Sequence, residues 1–167
     1  AEASYQRNVH KARALDRDSA VTKGYYQWAS LAWFEIATTR WPNNATYGDR
    51  LIELARWMVI VHRTLQRSRN TGYAYEGIVP AYTIARMRMD DDTSRLLGCT
   101  IDKGLAKLIS WQVGGPIPNR HLRKRTIVNP RAIGGIQNHR SEPLIRIDVV
   151  QHQLHAMLLA RTHRFVR

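Results

Sequence analysis

The sequence predicts an all-α protein of about six helices arranged in antiparallel hairpins. Five segments repeat apolar residues at i, i+3 and i+4, which is the spacing of one helix face. Short clusters of Gly, Pro, Asn and Asp separate these segments. The chain has 167 residues, of which 44% are apolar and 23% are charged, so we expect one globular domain over residues 1–167.

The helical segments differ in how many of their faces are apolar. The predicted helices span residues 24–40, 48–66, 73–89, 94–111 and 144–163, with a weaker and more polar helical segment at 5–20. In the second helix, Leu51, Leu54, Ala55 and Met58 form one apolar stripe, which is typical of a half-exposed helix. The first, third and fifth helices are apolar nearly all round, so we expect them to be buried.

Local signals set the ends of the helices. The first helix ends at Trp41-Pro42, because the residue before a proline avoids the helical conformation. Residues 90–94 supply a turn and an N-cap for the fourth helix. Residues 112–142 are predicted to form a long irregular loop, since they contain several Gly and Pro breaks. Within the loop, a basic run at 120–125 is followed by β-branched residues, which favours a short hairpin there.

The buried helices share a weak internal repeat. Gly24-Tyr25 and Gly72-Tyr73 lie 48 residues apart, and so do Ile36-Ala37 and Ile84-Ala85. The last helix fits the same pattern at Leu159-Ala160 once the long loop is allowed for. Buried helices that alternate with half-exposed ones indicate a two-layer arc.

This layout resembles the (α/α) toroids of carbohydrate-active proteins, among them glycoside hydrolases, polysaccharide lyases and uronyl epimerases. The resemblance rests on the Leu-Gln and Trp-Gln ends of the outer helices, the Tyr-Ala-Tyr-Glu-Gly start at 73–77 and the run from Gly134-Gly135 to His152. It implies a substrate cleft at the N-terminal ends of the inner helices. The chain has about half the hairpins of a closed toroid. We therefore expect a partial toroid-like arc, either a fragment or a subunit whose ring a partner chain completes.

Polar residues at the starts of the inner helices are the candidate site. We assign Glu76, Asp148 and His152 to catalysis, and Tyr25, Tyr73, Tyr75, Arg146, Gln151 and Asn138 to substrate binding. Asp148 and His152 are spaced i, i+4, so the carboxylate could orient the imidazole as a general base. Glu76 is the candidate partner acid, since glycoside hydrolysis uses two carboxylates. Any enzyme activity would be that of a glycan hydrolase, lyase or epimerase.

The charge of the chain indicates a polyanionic partner. Lys and Arg number 26 against 13 Asp and Glu, which gives a net charge of +13. Because the Arg residues are spread along the chain, an anionic polysaccharide or oligosaccharide is the preferred ligand. A basic helical scaffold that binds nucleic acid or an acidic protein is the alternative.

Other ligands and compartments have little support in the sequence. Cys99 is the single cysteine, so neither an intrachain disulfide nor a Cys-based zinc site is expected. We expect no metal and no cofactor, since no phosphate-binding loop or nucleotide fingerprint is present. No apolar run is long enough for a membrane span. The compartment stays open, and an extracytoplasmic location is compatible with the sequence.

Overall fold

The structure is a computed structural model that describes residues 7, 9–11, 20–127 and 129–165. Within these residues the α-helices are α1 (Ala20–Ala37), α2 (Asn44–Ile60), α3 (Gly72–Met87), α4 (Asp91–Ile109), the short α5 (Arg120–Arg123) and α6 (Ile147–Ala160). Single 3₁₀ turns lie at Thr64–Gln66 and Pro130–Ala132, and a π-type turn at Arg161–Phe165 follows α6. The strands β1 (Gln137–His139) and β2 (Glu142–Ile145) pair antiparallel.

The predicted all-α class holds in its coarse form, with one small two-stranded sheet added. Each of the five strongly predicted helices has a counterpart within a few residues of its expected ends. Of the weak helix at 5–20, residues 7 and 9–11 are helical, whereas most of the remainder lies outside the described residues. None of the helices in the described ranges is both long and apolar enough to span a membrane.

Helix α3 is the centre of the molecule. Its residues from Gly72 to Tyr82 are all buried, and α1, α2, α4 and α6 each pack against it. Helix α4, in contrast, buries one stripe that includes Leu97, Ile101 and Leu108, as its amphipathic pattern predicts. The Asp90 carboxylate caps α4 by accepting a hydrogen bond from the Thr93 amide at 3.0 Å.

Close approach of the helices depends on glycine. A Cβ atom at Gly72 would lie 2.7 Å from the backbone nitrogen of Gln153 in α6, and one at Gly77 would lie 2.6 Å from the Tyr26 hydroxyl of α1. A Cβ atom at Gly104 would overlap the Tyr75 ring, which therefore packs directly on the backbone of α4. The absence of side chains at these three positions lets α1, α4 and α6 come close to α3.

The loop predicted at 112–142 contains more regular structure than the sequence indicates. The hairpin expected within the basic run lies instead at 137–145, because Asn119 caps residues 120–123 as a helical turn. The Asn119 side chain accepts hydrogen bonds from the backbone amides of His121 and Leu122, both at 3.0 Å. Since β2 occupies residues 142–145, the last helix begins at Ile147 rather than at 144.

The hairpin rests on the helices through a small second core. This core consists of Trp111, Ile136 and Val149, which are all buried. The Gln137 amide donates to the Trp111 carbonyl at 3.0 Å, and the Val113 amide donates to the Gly135 carbonyl at 2.9 Å. The hairpin thus lies beside the start of α6, where it closes one side of a cleft.

A glycine substitution tests the packing of α3 on α4. Gly104→Ala should destabilise the protein by about 1–3 kcal/mol, because the new methyl group must displace the buried Tyr75 ring. Gly24→Ala is the matched control, since it is also helical but has no atom within 4 Å of the new Cβ. The control should leave the protein unchanged or more stable by up to about 1 kcal/mol. Urea unfolding measures both, and equal stabilities of the two variants would contradict this packing.

Candidate functional site

A cleft of about 310 Å³ lies where the N-terminal ends of three helices meet the hairpin. Helices supply Lys23, Gly24, Gln27, Gly72, Tyr73, Asp148, Val149 and His152. The hairpin and the connecting loops supply Arg69, Asn70, Asn138, Glu142 and Arg146. Its volume is that of a small-molecule site, and most of its lining side chains are polar or charged.

Asn70 holds the walls of the cleft together. Its side-chain oxygen accepts from the Gly72 amide at 2.9 Å, which fixes the start of α3. Its backbone amide donates to the Asn138 carbonyl of β1 at 2.7 Å, and its side-chain nitrogen donates to Gln153 of α6 at 2.6 Å. Asn70 and Gln153 are both buried, so water competes little for these bonds.

A buried carboxylate lies beneath the cleft. The Glu76 side chain has no exposed surface, and it faces two imidazoles of α6. Glu76 Oε2 lies 3.2 Å from His152 Nδ1, and Oε1 lies 2.9 Å from His155 Nδ1. The Gln27 amide nitrogen lies 3.3 Å from His152 Nδ1, so α1, α3 and α6 all meet at this ring.

These contacts fix the tautomers of the two rings. A carboxylate only accepts hydrogen bonds, so with Glu76 ionised each Nδ1 carries the proton that it donates to Glu76, and the approach of the Gln27 amide nitrogen to His152 Nδ1 is then a contact between two donors rather than a hydrogen bond. Nε2 of a neutral His152 is then the basic nitrogen, in a ring that is 24% exposed and lines the cleft. A buried carboxylate behind an imidazole orients the ring and stabilises the imidazolium that forms when it takes a proton.

A second hydrogen-bonded chain ends at Tyr73. Its hydroxyl lies 3.0 Å from His62 Nε2, and the guanidinium of Arg67 lies 3.2 Å from His62 Nδ1. Because a guanidinium only donates, Nδ1 of the buried His62 is the acceptor and Nε2 carries the proton. Tyr73 therefore accepts a hydrogen bond from His62.

Burial holds the neighbouring tyrosines in their neutral form. The pKa of Tyr26 is raised well above its ordinary value, first by burial and then by the nearby Tyr75 and Glu76. Its hydroxyl donates to the Ala74 carbonyl at 2.8 Å. Burial also raises the pKa of Tyr75. Both hydroxyl groups therefore stay protonated at neutral pH.

The charged groups of the lining are largely paired with one another. Arg146 binds Asp148 through two hydrogen bonds of 3.1 and 2.6 Å, which lower the pKa of that carboxyl group. Arg69 lies 3.5 Å from Glu142, whose other oxygen accepts from Asn138 at 2.6 Å. Lys23 lies above the Tyr73 ring, 5.7 Å from its centroid.

The structure brings together most of the site residues that the sequence predicts. Tyr73, Asn138, Arg146, Asp148 and His152 line the cleft, and Glu76 lies directly behind His152. Three other predicted residues lie elsewhere: Tyr25 packs its ring edge-on against Trp33, Tyr75 is buried against α4, and Gln151 lies on another, exposed face of α6.

The predicted pairing within α6 is replaced by contacts to other parts of the chain. Asp148 binds Arg146 rather than His152, and the imidazole of His152 is held by Glu76. Glu76 therefore has the orienting role that the sequence assigned to Asp148.

The residues of this site that sequence reasoning missed include Lys23, Arg69, Asn70, Glu142 and Gln153. Asn70 carried a usable signal, since an Asn two residues ahead of a helix start commonly bonds a backbone amide there. The others are ordinary polar residues in the sequence, and only the folded chain groups them.

No protein-family model matches the chain, and neither the curated proteins nor the solved structures include a match. Among the described residues, no three His, Cys, Asp or Glu side chains are grouped as ligands of a metal ion would be.

The tautomers can be tested directly. Long-range ¹H–¹⁵N spectra should show neutral His152 and His155 protonated at Nδ1, and His62 protonated at Nε2. Glu76→Gln should change the tautomer of at least one α6 ring, because an amide can accept from one ring but must donate to the other. Glu35→Gln, an exposed change on α1, is the control and should change neither ring. Nε2 protonation of both α6 rings in the unchanged protein would contradict the geometry.

Proposed function

We propose that the cleft binds an anionic glycan and transforms it by proton transfer, with His152 as general base and Tyr73 as general acid. The observation that carries this proposal is the imidazole of His152, which lines a polar cleft while the buried Glu76 holds its Nδ1. A second titratable residue, Tyr73, lines the same cleft, and its hydroxyl accepts a hydrogen bond from His62. A base and an acid in one site are what proton abstraction and leaving-group protonation require.

An anionic sugar suits the charges of the lining. Lys23, Arg69 and Arg146 set three cations against the carboxylates of Glu142 and Asp148. The side-chain amides of Gln27 and Asn138 supply the mixed donors and acceptors that sugar hydroxyls need. The net charge of +13 over the whole chain further favours encounter with an acidic polymer.

The geometry favours elimination over hydrolysis. Hydrolysis by two carboxylates needs one that is protonated, yet Arg146 lowers the pKa of Asp148 and Glu76 has no surface that a sugar could touch. In a uronate, the carbon beside the carboxylate bears a weakly acidic proton, which His152 Nε2 would remove. The electron pair then forms a C=C bond while the C–O bond to the glycosidic oxygen breaks. That oxygen takes the Tyr73 proton, and the hydrogen bond from His62 stabilises the phenolate left behind.

The same proposal includes the partial (α/α) toroid. In its support, the N-terminal ends of α1, α3 and α6 all lie at the cleft. Helices α2 and α4 contribute no residue to the cleft lining, although both pack against α3. A partner chain that completes the ring would cover the apolar side chains that α6 leaves exposed, which include Ile147, Leu154 and Leu158.

Turnover of defined uronate polymers tests the catalytic assignment. Ultraviolet absorbance of the unsaturated product should report activity, and His152→Gln and Tyr73→Phe should each lower it by about 10²–10⁴-fold. Glu76→Gln should lower it less, because His152 keeps its place in the lining. His10→Gln, at an exposed position outside the cleft lining, is the matched control and should retain full activity. Undiminished turnover by His152→Gln would rule out its role as the base.

Nucleic-acid binding is a second candidate, since the fold gathers basic side chains that are separate in the sequence. Arg120, Arg123, Lys124, Arg131 and Arg140 are exposed in the region around α5 and the hairpin turn. Arg125 links the two segments by donating to the Arg140 carbonyl at 3.1 Å. The pKa of His121 is lowered first by burial and then by Arg125 and Arg140, as expected beside positive charge.

Salt dependence separates this candidate from the first. A variant with Arg123, Lys124 and Arg125 changed to Gln should bind DNA or RNA more weakly. The slope of log affinity against log salt concentration should fall in magnitude by about one for each phosphate contact that is lost. The matched control changes the exposed Arg63, Arg95 and Arg161 to Gln. If both triple variants behave alike in a fluorescence titration, this surface is not a nucleic-acid site.

A further inference from the structure

A second cavity lies on the opposite side of the hairpin from the cleft. Its volume is about 510 Å³, and its walls include the apolar side chains of Val113, Leu122, Pro143 and Ile145. Consecutive strand residues point to opposite faces, so Gln137 of β1 borders this cavity while the next residue, Asn138, lines the cleft. The hairpin is thus a wall shared by two separate sites.

One residue of the cavity lining, Gln137, has a polar side-chain atom without a partner among the described residues. The Gln137 side chain is 2% exposed, and its Nε2 donates to the Glu142 carbonyl at 2.9 Å. Because a carbonyl can only accept, this bond fixes which end of the amide is the oxygen. That oxygen, Oε1, is buried and has no hydrogen-bond partner among the described residues. An unsatisfied buried acceptor costs about 1–3 kcal/mol, and a donor that enters from the cavity would remove this cost.

Two guanidinium groups line the same cavity. Arg123 makes a long contact of 3.5 Å to the Pro118 carbonyl, and Arg125 donates to the Arg140 carbonyl at 3.1 Å. Each guanidinium has five N–H donors, so both keep donors that a carboxylate could bind. The exposure of both residues places this positive charge at the opening of an apolar cavity.

We propose that this cavity is a binding site for a small apolar carboxylate that also carries one N–H or O–H donor. The apolar body fills the space between Val113, Leu122 and Ile145. The donor bonds Gln137 Oε1, and the carboxylate binds Arg123 at the opening. This site is distinct from the glycan cleft and does not depend on the proposed reaction.

Three related probes test each part of the recognition. Indole-3-carboxylate has the apolar body, the donor and the charge, and it should bind with a dissociation constant below about 1 mM in a chemical-shift titration. The N-methyl analogue lacks the donor, and the neutral indole-3-carboxamide lacks the charge. Each should bind about tenfold more weakly, as expected for the loss of one buried hydrogen bond or one charge contact. Equal affinities of the three probes, or no saturable binding, would overturn the proposal.

Protein variants assign each preference to its residue. Gln137→Met should abolish the preference for the N–H probe over its N-methyl analogue, and Arg123→Gln should abolish the preference for the carboxylate over the carboxamide. Arg120→Gln is the matched control, since it lies on the same short helix but outside the cavity lining, and it should keep both preferences. If Gln137→Met unfolds the protein, the comparison of probes on the unchanged chain still decides the role of the donor. Loss of probe binding in His152→Gln would place the probe in the cleft and contradict this site.

Discussion

The burial of α3 on all sides is the constraint on which the rest of the structure depends. A helical segment with no solvent-facing side, here residues 72–82, must be surrounded, and α1, α2, α4 and α6 surround it. Gly72 allows the backbone of α6 to approach the backbone of α3 closely. Gly104 allows the Tyr75 ring of α3 to pack on the backbone of α4. The Glu76 carboxylate on α3 then needs hydrogen-bond donors from a neighbouring helix, because its side chain has no exposed surface. The position of α6 follows from this requirement, since its two imidazoles are the partners of Glu76.

Glu76 shows why the centre of the fold is also the base of the cleft. Replacing a buried ion pair by well-packed apolar groups is often neutral or stabilising, so packing gives no reason for a carboxylate at this position. Its oxygens instead fix the Nδ1 of His152 and leave the other ring nitrogen as the basic one. The cost of burying the carboxylate is offset by two imidazole donors. One of them, His152, lines the cleft, and the other, His155, lies on an outer face of α6. The same residue therefore couples the core to the chemistry of the cleft.

The positions of the helices could be predicted from the sequence, but the pairing of the polar residues could not, and the expectation that the first and last apolar helices are buried was wrong, since Trp28 and Leu154 are exposed. Apolar periodicity depends on neighbours three and four positions away, which is why α3 and α4 appear close to their predicted ends. The i, i+4 spacing of Asp148 and His152 suggested a pair, yet Asp148 binds Arg146, two residues before it, and His152 binds Glu76, which only the folded chain brings near. The placement of Tyr75 was within reach of sequence reasoning. Tyr73 and Tyr75 are about 200° apart around a helix, so one of them had to face away from the cleft.

The two walls of the cleft differ in how firmly they are held. Tyr73 projects from the buried α3 and His152 from α6, which packs on it, whereas Asn138 and Glu142 project from strands of three and four residues. An isolated two-stranded hairpin is marginal in water, so this wall depends on its bonds to the helices. The bond from Asn70 to Asn138 and the small core at Trp111 are the chief such links. The groups that would transfer protons thus lie on the rigid wall, where precise placement matters most. The groups that would bind the ligand lie partly on the wall that can adjust to it.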